Sequence, residues 1–393
     1  MPTQPTPILD VRGLPGASEV VVYKDGGLFP VLALAGDAVV AVLRGGAGHL
    51  GLDGRMEIVR SLDAGHTWSP PAVVADSDFD DRNPAFGVTP AGTLILAYHR
   101  QGNYDEAGNW RPREEMEKSR VEIRVTRSHD RGLTWETPYP LGVEMLTAGS
   151  PFGKIVALAD GTLLMPIYGR PVAPLLGKQA GEVAGDGDCS YLVRSHDDGA
   201  TWGEPSLIGV NKNETALTAL PDGGVLALMR STPPDQALYS AHSDDGGRTW
   251  SPPVQVTGAR QHPADLVQLA NGDILMTYGN RTAPYRIEGK VSRDGGRSWL
   301  APLLTFSAPL YGYDLPPERP TDLGYPSSVV QRGSGPGQGV TIYYYNPSVR
   351  KPWQREDRSA ESRYLARDYY AVAVTWQEEA LIAAIDRMTD GRK

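Results

Sequence analysis

Apolar and polar positions along the chain repeat as a tight turn followed by a short aliphatic run. Clear copies occupy positions 91–96, 160–165, 222–226 and 271–275, and a weaker copy occupies 36–40. Three of these turns contain Asp-Gly or Asn-Gly, a pair typical of antiparallel hairpins when it lies between strand-like runs. The pattern therefore predicts a chain built from repeated β-hairpins.

An eight-residue motif, Ser-x-Asp-x-Gly-x-(Thr/Ser)-Trp, follows five of these hairpins. We call it the box, and its copies occupy positions 61–68, 128–135, 195–202, 243–250 and 292–299. Ser and Asp side chains can accept hydrogen bonds from nearby backbone N–H groups, and Gly supplies a positive φ. Trp adds a large apolar surface that can anchor the turn. We therefore expect the acidic residues of the boxes to shape turns rather than to carry chemistry.

The spacing of the boxes predicts the fold. Their aspartates, Asp63, Asp130, Asp197, Asp245 and Asp294, lie about 50 to 70 residues apart, the length of a four-stranded propeller blade with its loops. A sixth unit without a box begins near Tyr325 and continues through positions 340–345 and 369–376. Positions 19–23 can add a strand that closes the ring. We predict an all-β, six-bladed β-propeller that forms a single domain over 1–393, with a short amphipathic helix at 378–388.

Composition excludes several classes of function. The net charge of −9 argues against a nucleic-acid partner, which needs basic patches. No His/Asp/Glu cluster has metal spacing, and no dinucleotide or Walker glycine motif is present, so we expect neither a metal nor a cofactor. The single Cys189, the absence of a signal-peptide pattern at the start and the absence of a long apolar run favour a cytoplasmic protein without a membrane partner. The oligomeric state is left open.

The box resembles the Asp-box, or bacterial neuraminidase repeat, of sialidases (neuraminidases), in which it is structural. The resemblance covers nearly the whole chain. It implies an exo-acting retaining glycoside hydrolase that releases a terminal sialic acid, or a related carboxylated sugar, from an acidic-sugar glycoside. It further implies three arginines that bind the sugar carboxylate and a tyrosine nucleophile.

Three segments resemble the arginine motifs of that family. Arg82, in Asp81-Arg-Asn-Pro, resembles the Arg-Ile-Pro motif, with Asn in place of Ile. Arg230 lies sixteen residues after Glu214 across an Asp-Gly hairpin, and this hairpin is expected to bring the two side chains together. For the third arginine, Arg286 is favoured because Gly289 follows it, and Arg281 is the alternative.

The resemblance also assigns the reacting groups. Tyr325, in Gly-Tyr-Pro-Ser, is the candidate nucleophile, and Glu214 is the base that would take its proton, with nearby arginines favouring the phenolate. His262 is a candidate substrate contact. The general acid is expected on the loop after Arg82, where Asp105 is favoured and Glu115 and Glu117 are the alternatives.

Two other functions remain open at this point. The same arginines suit a uronide or another acidic sugar, which could be cleaved by elimination with Tyr325 or His262 moving protons. Alternatively, the propeller binds carbohydrate without catalysis.

Overall fold

The structure is a computed structural model of the 393-residue chain, and it describes residues 6–105, 108, 121–143, 146–171, 187–311, 322–333, 336–346 and 369–390. The described residues form six sheets of four or five strands each. This confirms the predicted all-β, six-bladed propeller. No helix among the described residues is long and apolar enough to span a bilayer.

Twenty-seven strands make up the sheets in the described part of the chain. The first half of the chain contributes β1 (Ile8–Asp10), β2 (Ser18–Lys24), β3 (Leu28–Ala35), β4 (Ala38–Gly45), β5 (Arg55–Ser61), β6 (Ala72–Ala75), β7 (Asp80–Val88), β8 (Leu94–Gln101), β9 (Val121–Ser128), β10 (Tyr139–Pro140), β11 (Leu146–Pro151), β12 (Gly153–Lys154), β13 (Val156–Ala157), β14 (Leu163–Pro171) and β15 (Cys189–Ser195). The second half contributes β16 (Gly203–Val210), β17 (Lys212–Ala219), β18 (Val225–Ser231), β19 (Leu238–Ser243), β20 (Val254–Gln255), β21 (Gln261–Gln268), β22 (Ile274–Asn280), β23 (Arg286–Ser292), β24 (Leu303–Thr305), β25 (Leu323–Gln331), β26 (Gln338–Tyr345) and β27 (Tyr370–Gln377).

Each blade runs from an inner strand at the axis to an outer strand at the rim. Blades one to six start at β3, β7, β11, β17, β21 and β25. These strands pack around the axis, and at blade three the short strands β12 and β13 also make contact with β17 of blade four. The N-terminal strand β2 pairs with β27, with Ser18 opposite Thr375, so the two ends of the chain close the ring as predicted. Strand β1 adds to the rim of blade five by parallel pairing with β24, which the sequence pattern did not indicate. Helix α1 (Glu378–Asp390) follows β27 and confirms the predicted C-terminal helix.

The boxes connect the third and fourth strands of blades one to five. In the first box the Ser61 hydroxyl donates to Asp63 (2.8 Å) and accepts from the Gly65 amide (2.8 Å). Asp63 accepts from the amide and the hydroxyl of Thr67 (2.8 and 2.6 Å), and the Trp68 indole donates to the Gly65 carbonyl (3.0 Å). The serine-to-aspartate bond recurs in the other four boxes. The indole bond recurs in the next three, whereas Trp299 Nε1 of the last box is buried without a hydrogen-bond partner among the described residues. The box aspartates therefore hold turns, as their composition predicts.

The boxes also fix the contact between blades. Gly65 has φ +93, and a Cβ there would lie 2.8 Å from Val340 and 3.1 Å from Thr375, on strands of blade six. In the later boxes the corresponding glycines, Gly132, Gly199, Gly247 and Gly296, likewise abut a side chain of the preceding blade. Glycine is required because the turn needs a positive φ and the neighbouring blade leaves no room for a methyl group.

All six inner strands carry a register shift near the same end. The shifts lie between Leu28 and Val31, Arg82 and Ala85, Thr147 and Ser150, Lys212 and Thr215, Gln261 and Ala264, and Gly324 and Ser327. A bulge re-aims the side chains beside it and is common next to functional sites. The bulges of blades one, two, four and six bring Phe29, Arg82, Glu214 and Tyr325 together in one region on the axis, which we call the axial site.

A buried ion pair crosses the axis below this region. Lys154 of β12 donates to the Asp265 carboxylate (2.9 Å) and to the carbonyls of Leu266 (3.0 Å) and Ser328 (2.5 Å). The Ser328 amide also donates to Asp265 (2.7 Å). These contacts tie the strand between blades two and three to the inner strands of blades five and six.

Candidate functional site

A hydrogen-bonded chain of three side chains lies at the centre of the axial site. The Tyr325 hydroxyl donates to one oxygen of Glu214, and Arg230 Nη1 donates to the other at 2.6 Å. Glu214 lies at the bulge of β17 and Arg230 near the end of β18, so the hairpin between them brings them together as the sequence predicts. Glu214 is thus placed to receive the phenolic proton.

Tyr325 has an unusual backbone and an enclosed ring. Its φ is +48 at the bulge of β25, a conformation that costs free energy in a residue with a Cβ and that often marks a functional position. The rings of Phe29, Tyr344 and Phe152 lie 4.8, 5.6 and 5.8 Å from it. The bulge and these aromatic neighbours hold the hydroxyl in one direction.

The phenol of Tyr325 keeps its proton in the free protein. Burial raises its pKa well above the ordinary value, Glu214 adds to the rise, and Arg230 and Arg281 oppose it only in part. The arginines thus favour the phenolate, as expected, but burial and Glu214 outweigh them and the pKa stays raised. Glu214 is the group that accepts the hydrogen bond of the phenol.

Two further arginines, Arg82 and Arg281, lie beside these hydrogen-bonded side chains. The guanidinium carbon of Arg281 lies 5.7 Å from the centre of the Tyr325 ring, and that of Arg82 lies 5.8 Å from the centre of the Phe29 ring. Among the described residues, Nε of Arg82, Nε of Arg230 and both Nε and Nη2 of Arg281 are buried without a hydrogen-bond partner. Buried donors without partners are costly, and planar guanidinium groups bind carboxylates in a bidentate way. The arrangement can therefore bind an anion beside Tyr325.

The structure does not bring Arg286, the favoured third arginine, into this cluster. Arg286 begins β23 opposite Asn280, and its Nε donates to Glu288 at 2.8 Å. Glu288 also accepts from Asn280 at 3.0 Å, so Arg286 belongs to a polar group within blade five. The alternative, Arg281, directly follows β22 at the bulged end and takes the position beside Tyr325. The reason for favouring Arg286 is the glycine three residues after it, and this spacing does not report the distance from the axis.

Sequence reasoning missed a histidine and a carboxylate on the same side of the site. His49 Nδ1 lies 3.2 Å from Asp322, which also accepts hydrogen bonds from the hydroxyls of Tyr344 (2.7 Å) and Tyr369 (2.6 Å). The His49 ring contacts the Phe29 ring edge-to-face at 5.1 Å. Two sequence signals were available: the glycine-rich stretch 45–54, which carries His49, and Asp322, which lies three residues before Tyr325.

The loop that carries His49 is held firmly. It connects β4 and β5, and the buried Arg44 donates to the carbonyls of Gly48 (2.7 Å) and Gly51 (3.2 Å). The Gly51 amide donates to the Tyr104 hydroxyl at 2.9 Å, and Tyr104 donates to Asp80. His49 therefore has a fixed position at the wall of the site.

The remaining predicted residues lie in different surroundings. His262 is 1% exposed, and burial first, then Arg230, Arg281 and Arg260, lower its pKa well below the ordinary value, so its imidazole is neutral. Asp105 is half-buried and follows Tyr104, which places it near the loop of His49 at the bulged end. Glu115 and Glu117 lie outside the described residues. Within the described part of the chain, no group of three or more His, Cys, Asp or Glu side chains is arranged to hold a metal ion.

Comparison with known proteins places this geometry in a family. The model of the BNR repeat-like domain matches residues 46–339, about three quarters of the chain. A sialidase of Clostridium perfringens is 25% identical over 208 residues, which cover 49% of this chain and 50% of that protein. The chain thus spans about half the length of this curated relative.

Solved structures show the same fold. A protein of unknown function from Dyadobacter fermentans superposes with a TM-score of 0.68 at 22% identity, covering 93% of this chain and 100% of that chain. Trypanosoma rangeli sialidase in complex with 2,3-difluorosialic acid, described as a covalent intermediate, superposes with a TM-score of 0.61 at 14% identity, covering 96% and 61%. The matched domain, the sialidase relatives and the six blades agree, and the chain belongs to the BNR repeat-like family of sialidase-like six-bladed β-propellers.

Proposed function

We propose that this protein is a retaining glycoside hydrolase that removes a terminal carboxylated sugar, of the sialic acid class, from a glycoside. The observation that carries the proposal is the chain from Tyr325 through Glu214 to Arg230, beside the unpartnered guanidinium donors of Arg82 and Arg281. The names of the relatives support the substrate class, since the curated relatives that this protein matches include sialidases.

The arginines would bind and orient the sugar. The sugar carboxylate would lie between Arg82, Arg230 and Arg281, where planar forks fix both its position and its plane. This places the anomeric carbon, which bears the carboxylate, over the Tyr325 hydroxyl. His262 is buried and neutral beside Arg230 and Arg281, and it stays a candidate contact of the sugar.

Tyr325 is a suitable nucleophile for such a sugar. A carboxylate nucleophile would be repelled by the sugar carboxylate, whereas a phenol approaches without a charge. As the Tyr325 oxygen attacks the anomeric carbon, its proton passes to Glu214 along the existing hydrogen bond, and Arg230 and Arg281 stabilise the charge that develops on the oxygen. Water then releases the sugar from the covalent intermediate.

A substrate panel tests the proposal. Aryl glycosides of a sialic acid, of a deaminated ulosonic acid and of a uronic acid would be incubated with the wild-type protein and with Tyr325→Phe. We expect hydrolysis of at least one of the first two by the wild-type protein and none by Tyr325→Phe.

Each contrary result identifies a different error. Hydrolysis that survives in Tyr325→Phe would reject the nucleophile. An ultraviolet-absorbing unsaturated product from the uronide would indicate elimination instead. Saturable binding without turnover of any glycoside would indicate a carbohydrate-binding propeller.

A further inference from the structure

We propose that His49, oriented by Asp322, exchanges a proton with the leaving-group oxygen and then with the attacking water. This inference rests on the proposed glycosidase function and replaces Asp105 as the acid expected from the sequence. It is carried by the position of His49, by its partner and by the charges around it.

His49 lies at the wall of the axial site, where its ring can reach a bound sugar. Its ring packs on Phe29, and Phe29 packs on Tyr325, so the three rings line one wall of the axial site. Arg82 and Arg281 are close enough to act on its charge. The His49 side chain is 14% exposed, so it is partly accessible although its loop is held by Arg44 and Tyr104.

Asp322 determines which ring nitrogen exchanges the proton. The His49 contact, the hydroxyls of Tyr344 and Tyr369, and Arg281 outweigh burial and hold the pKa of Asp322 far below its ordinary value. An ionised carboxylate accepts hydrogen bonds only, so Nδ1 of His49 carries a hydrogen and donates it to Asp322. Nε2 is then the nitrogen that binds or releases a proton, as in other histidines oriented by a carboxylate.

The charges around His49 couple its protonation to the substrate. Burial lowers its pKa, Asp322 opposes this, and Arg82 and Arg281 lower the pKa further. Tyr344 and Tyr369 reach His49 through Asp322, and Arg44 and Tyr104 hold the loop that carries it. A sugar carboxylate on the arginines offsets their positive charge, so binding of substrate raises the pKa of His49. The imidazole is therefore neutral in the free protein and takes up a proton with the acidic sugar.

The proton balance of the two steps is complete. In the first step protonated Nε2 gives its proton to the glycosidic oxygen, which leaves as an alcohol with the bonding electron pair. At the same time Tyr325 bonds to the anomeric carbon and Glu214 takes the phenolic proton. In the second step neutral His49 removes a proton from water, the water oxygen bonds to the anomeric carbon, and Tyr325 leaves and recovers its proton from Glu214.

Dependence on the leaving group tests the role of His49. The acidic phenol of an aryl glycoside leaves as a phenolate and needs no proton. The alcohol of an alkyl glycoside of the same sugar must be protonated to leave. We expect His49→Gln to lower kcat/KM for the alkyl glycoside by about 10²–10⁴-fold, the usual contribution of a general acid, and to leave the aryl glycoside much less affected. His66→Gln, at an exposed box position, is the matched control and should behave as wild type.

The pH profile gives a second readout. Because the pKa of His49 rises on binding, the basic limb of kcat in the wild-type protein should lie at higher pH than that of kcat/KM, and both limbs should be absent in His49→Gln. An equal loss on both glycosides would show a role in binding or folding and would overturn the inference. So would leaving-group dependence in Asp105→Asn but not in His49→Gln. If the wild-type protein cleaves neither glycoside, the proposed function itself fails and the inference with it.

Discussion

The Tyr325 hydroxyl donates a hydrogen bond to Glu214, although 111 residues separate them along the chain. Tyr325 comes from the inner strand of blade six and Glu214 from that of blade four, and the two strands meet only at the axis. Arg230 holds the second oxygen of Glu214 at 2.6 Å, so the carboxylate has one orientation. The pair is therefore fixed before substrate arrives, which is what an efficient proton transfer from a phenol requires.

A 2,3-difluoro derivative of the substrate sugar should trap the covalent intermediate on Tyr325. The anomeric fluoride leaves readily, while the second fluorine slows the release of the sugar by destabilising the oxocarbenium-like transition state. Peptide mass spectrometry is expected to locate the added mass on Tyr325, and Tyr325→Phe should stay unlabelled.

Glu214→Gln keeps the shape of the site and removes the base, so labelling should slow by about 10²–10⁴-fold. Because fluoride needs no proton, His49→Gln should label at the wild-type rate. An adduct on another residue would reject the mechanism.

Arg281 and Arg286 are expected to respond differently to replacement by lysine. Lysine cannot form the bidentate contact, and loss of a hydrogen bond to a charged group costs about 1.5–3 kcal/mol, so Arg281→Lys should lower kcat/KM by about 10- to 100-fold. Arg286→Lys keeps the charge next to Glu288 and should leave kcat/KM unchanged. Steady-state kinetics on the carboxylated aryl glycoside separate the two. A larger effect at Arg286 would restore it as the third arginine.

The fold could be predicted from sequence because its signals are local and repeated. Each box fixes a turn through residues within the same eight positions, and each Gly-containing turn precedes its strand. Glu214 and Arg230 could be paired for the same reason, since a single hairpin joins them. Strand β1 carries no such signal, because it is three residues long and pairs with β24, which lies far from it along the chain.

The rest of the site could not be predicted because it depends on where the bulges turn side chains. Arg281 and Arg286 are five residues apart, and only the end of β22 decides which one faces the axis. His49 and Asp322 lie 273 residues apart and meet through a loop without periodic pattern. The protonation state of the Tyr325 phenol depends on burial, which raises its pKa while the arginines lower it. A sequence motif does not show how deeply a side chain is buried.

The boxes should make the protein sensitive to acid between pH 4 and pH 2. Hydrogen bonds from Thr67 lower the pKa of Asp63 to about 2, and hydrogen bonds from Thr134 lower that of Asp130 to about 2. The pKa values of the other three box aspartates are also lowered. A lowered folded-state pKa stabilises the protein above the unfolded value of about 4, and this contribution is lost as the pH falls through the folded value.

Thermal unfolding midpoints measured from pH 5 to pH 2 check this expectation. At pH 5 the unfolding midpoint of Asp63→Asn should lie below that of the wild-type protein. At pH 2 the two midpoints should lie closer together. Asp78→Asn removes an exposed charge outside the boxes and is the control, for which the difference should not change with pH in this way. A wild-type midpoint that stays constant down to pH 2 would contradict the role given to the boxes.

Removal of one partner of the Lys154–Asp265 pair should destabilise the contact across the axis. Lys154→Met leaves the buried Asp265 without its cation, and breaking a buried ion pair on one side typically costs about 3–5 kcal/mol. Burial already raises the pKa of Asp265 against the opposing effect of Lys154, so the loss of stability should shrink at acidic pH, where Asp265 is neutral.

The control variant, Arg131→Met, breaks an exposed pair with Asp37. Both of these side chains are more than half exposed, so the change should cost at most about 1 kcal/mol. Urea unfolding of both variants measures the difference, and the double variant Lys154→Met with Asp265→Asn should recover part of the loss. Equal stability of Lys154→Met and Arg131→Met would show that the axial pair does not hold the blades together.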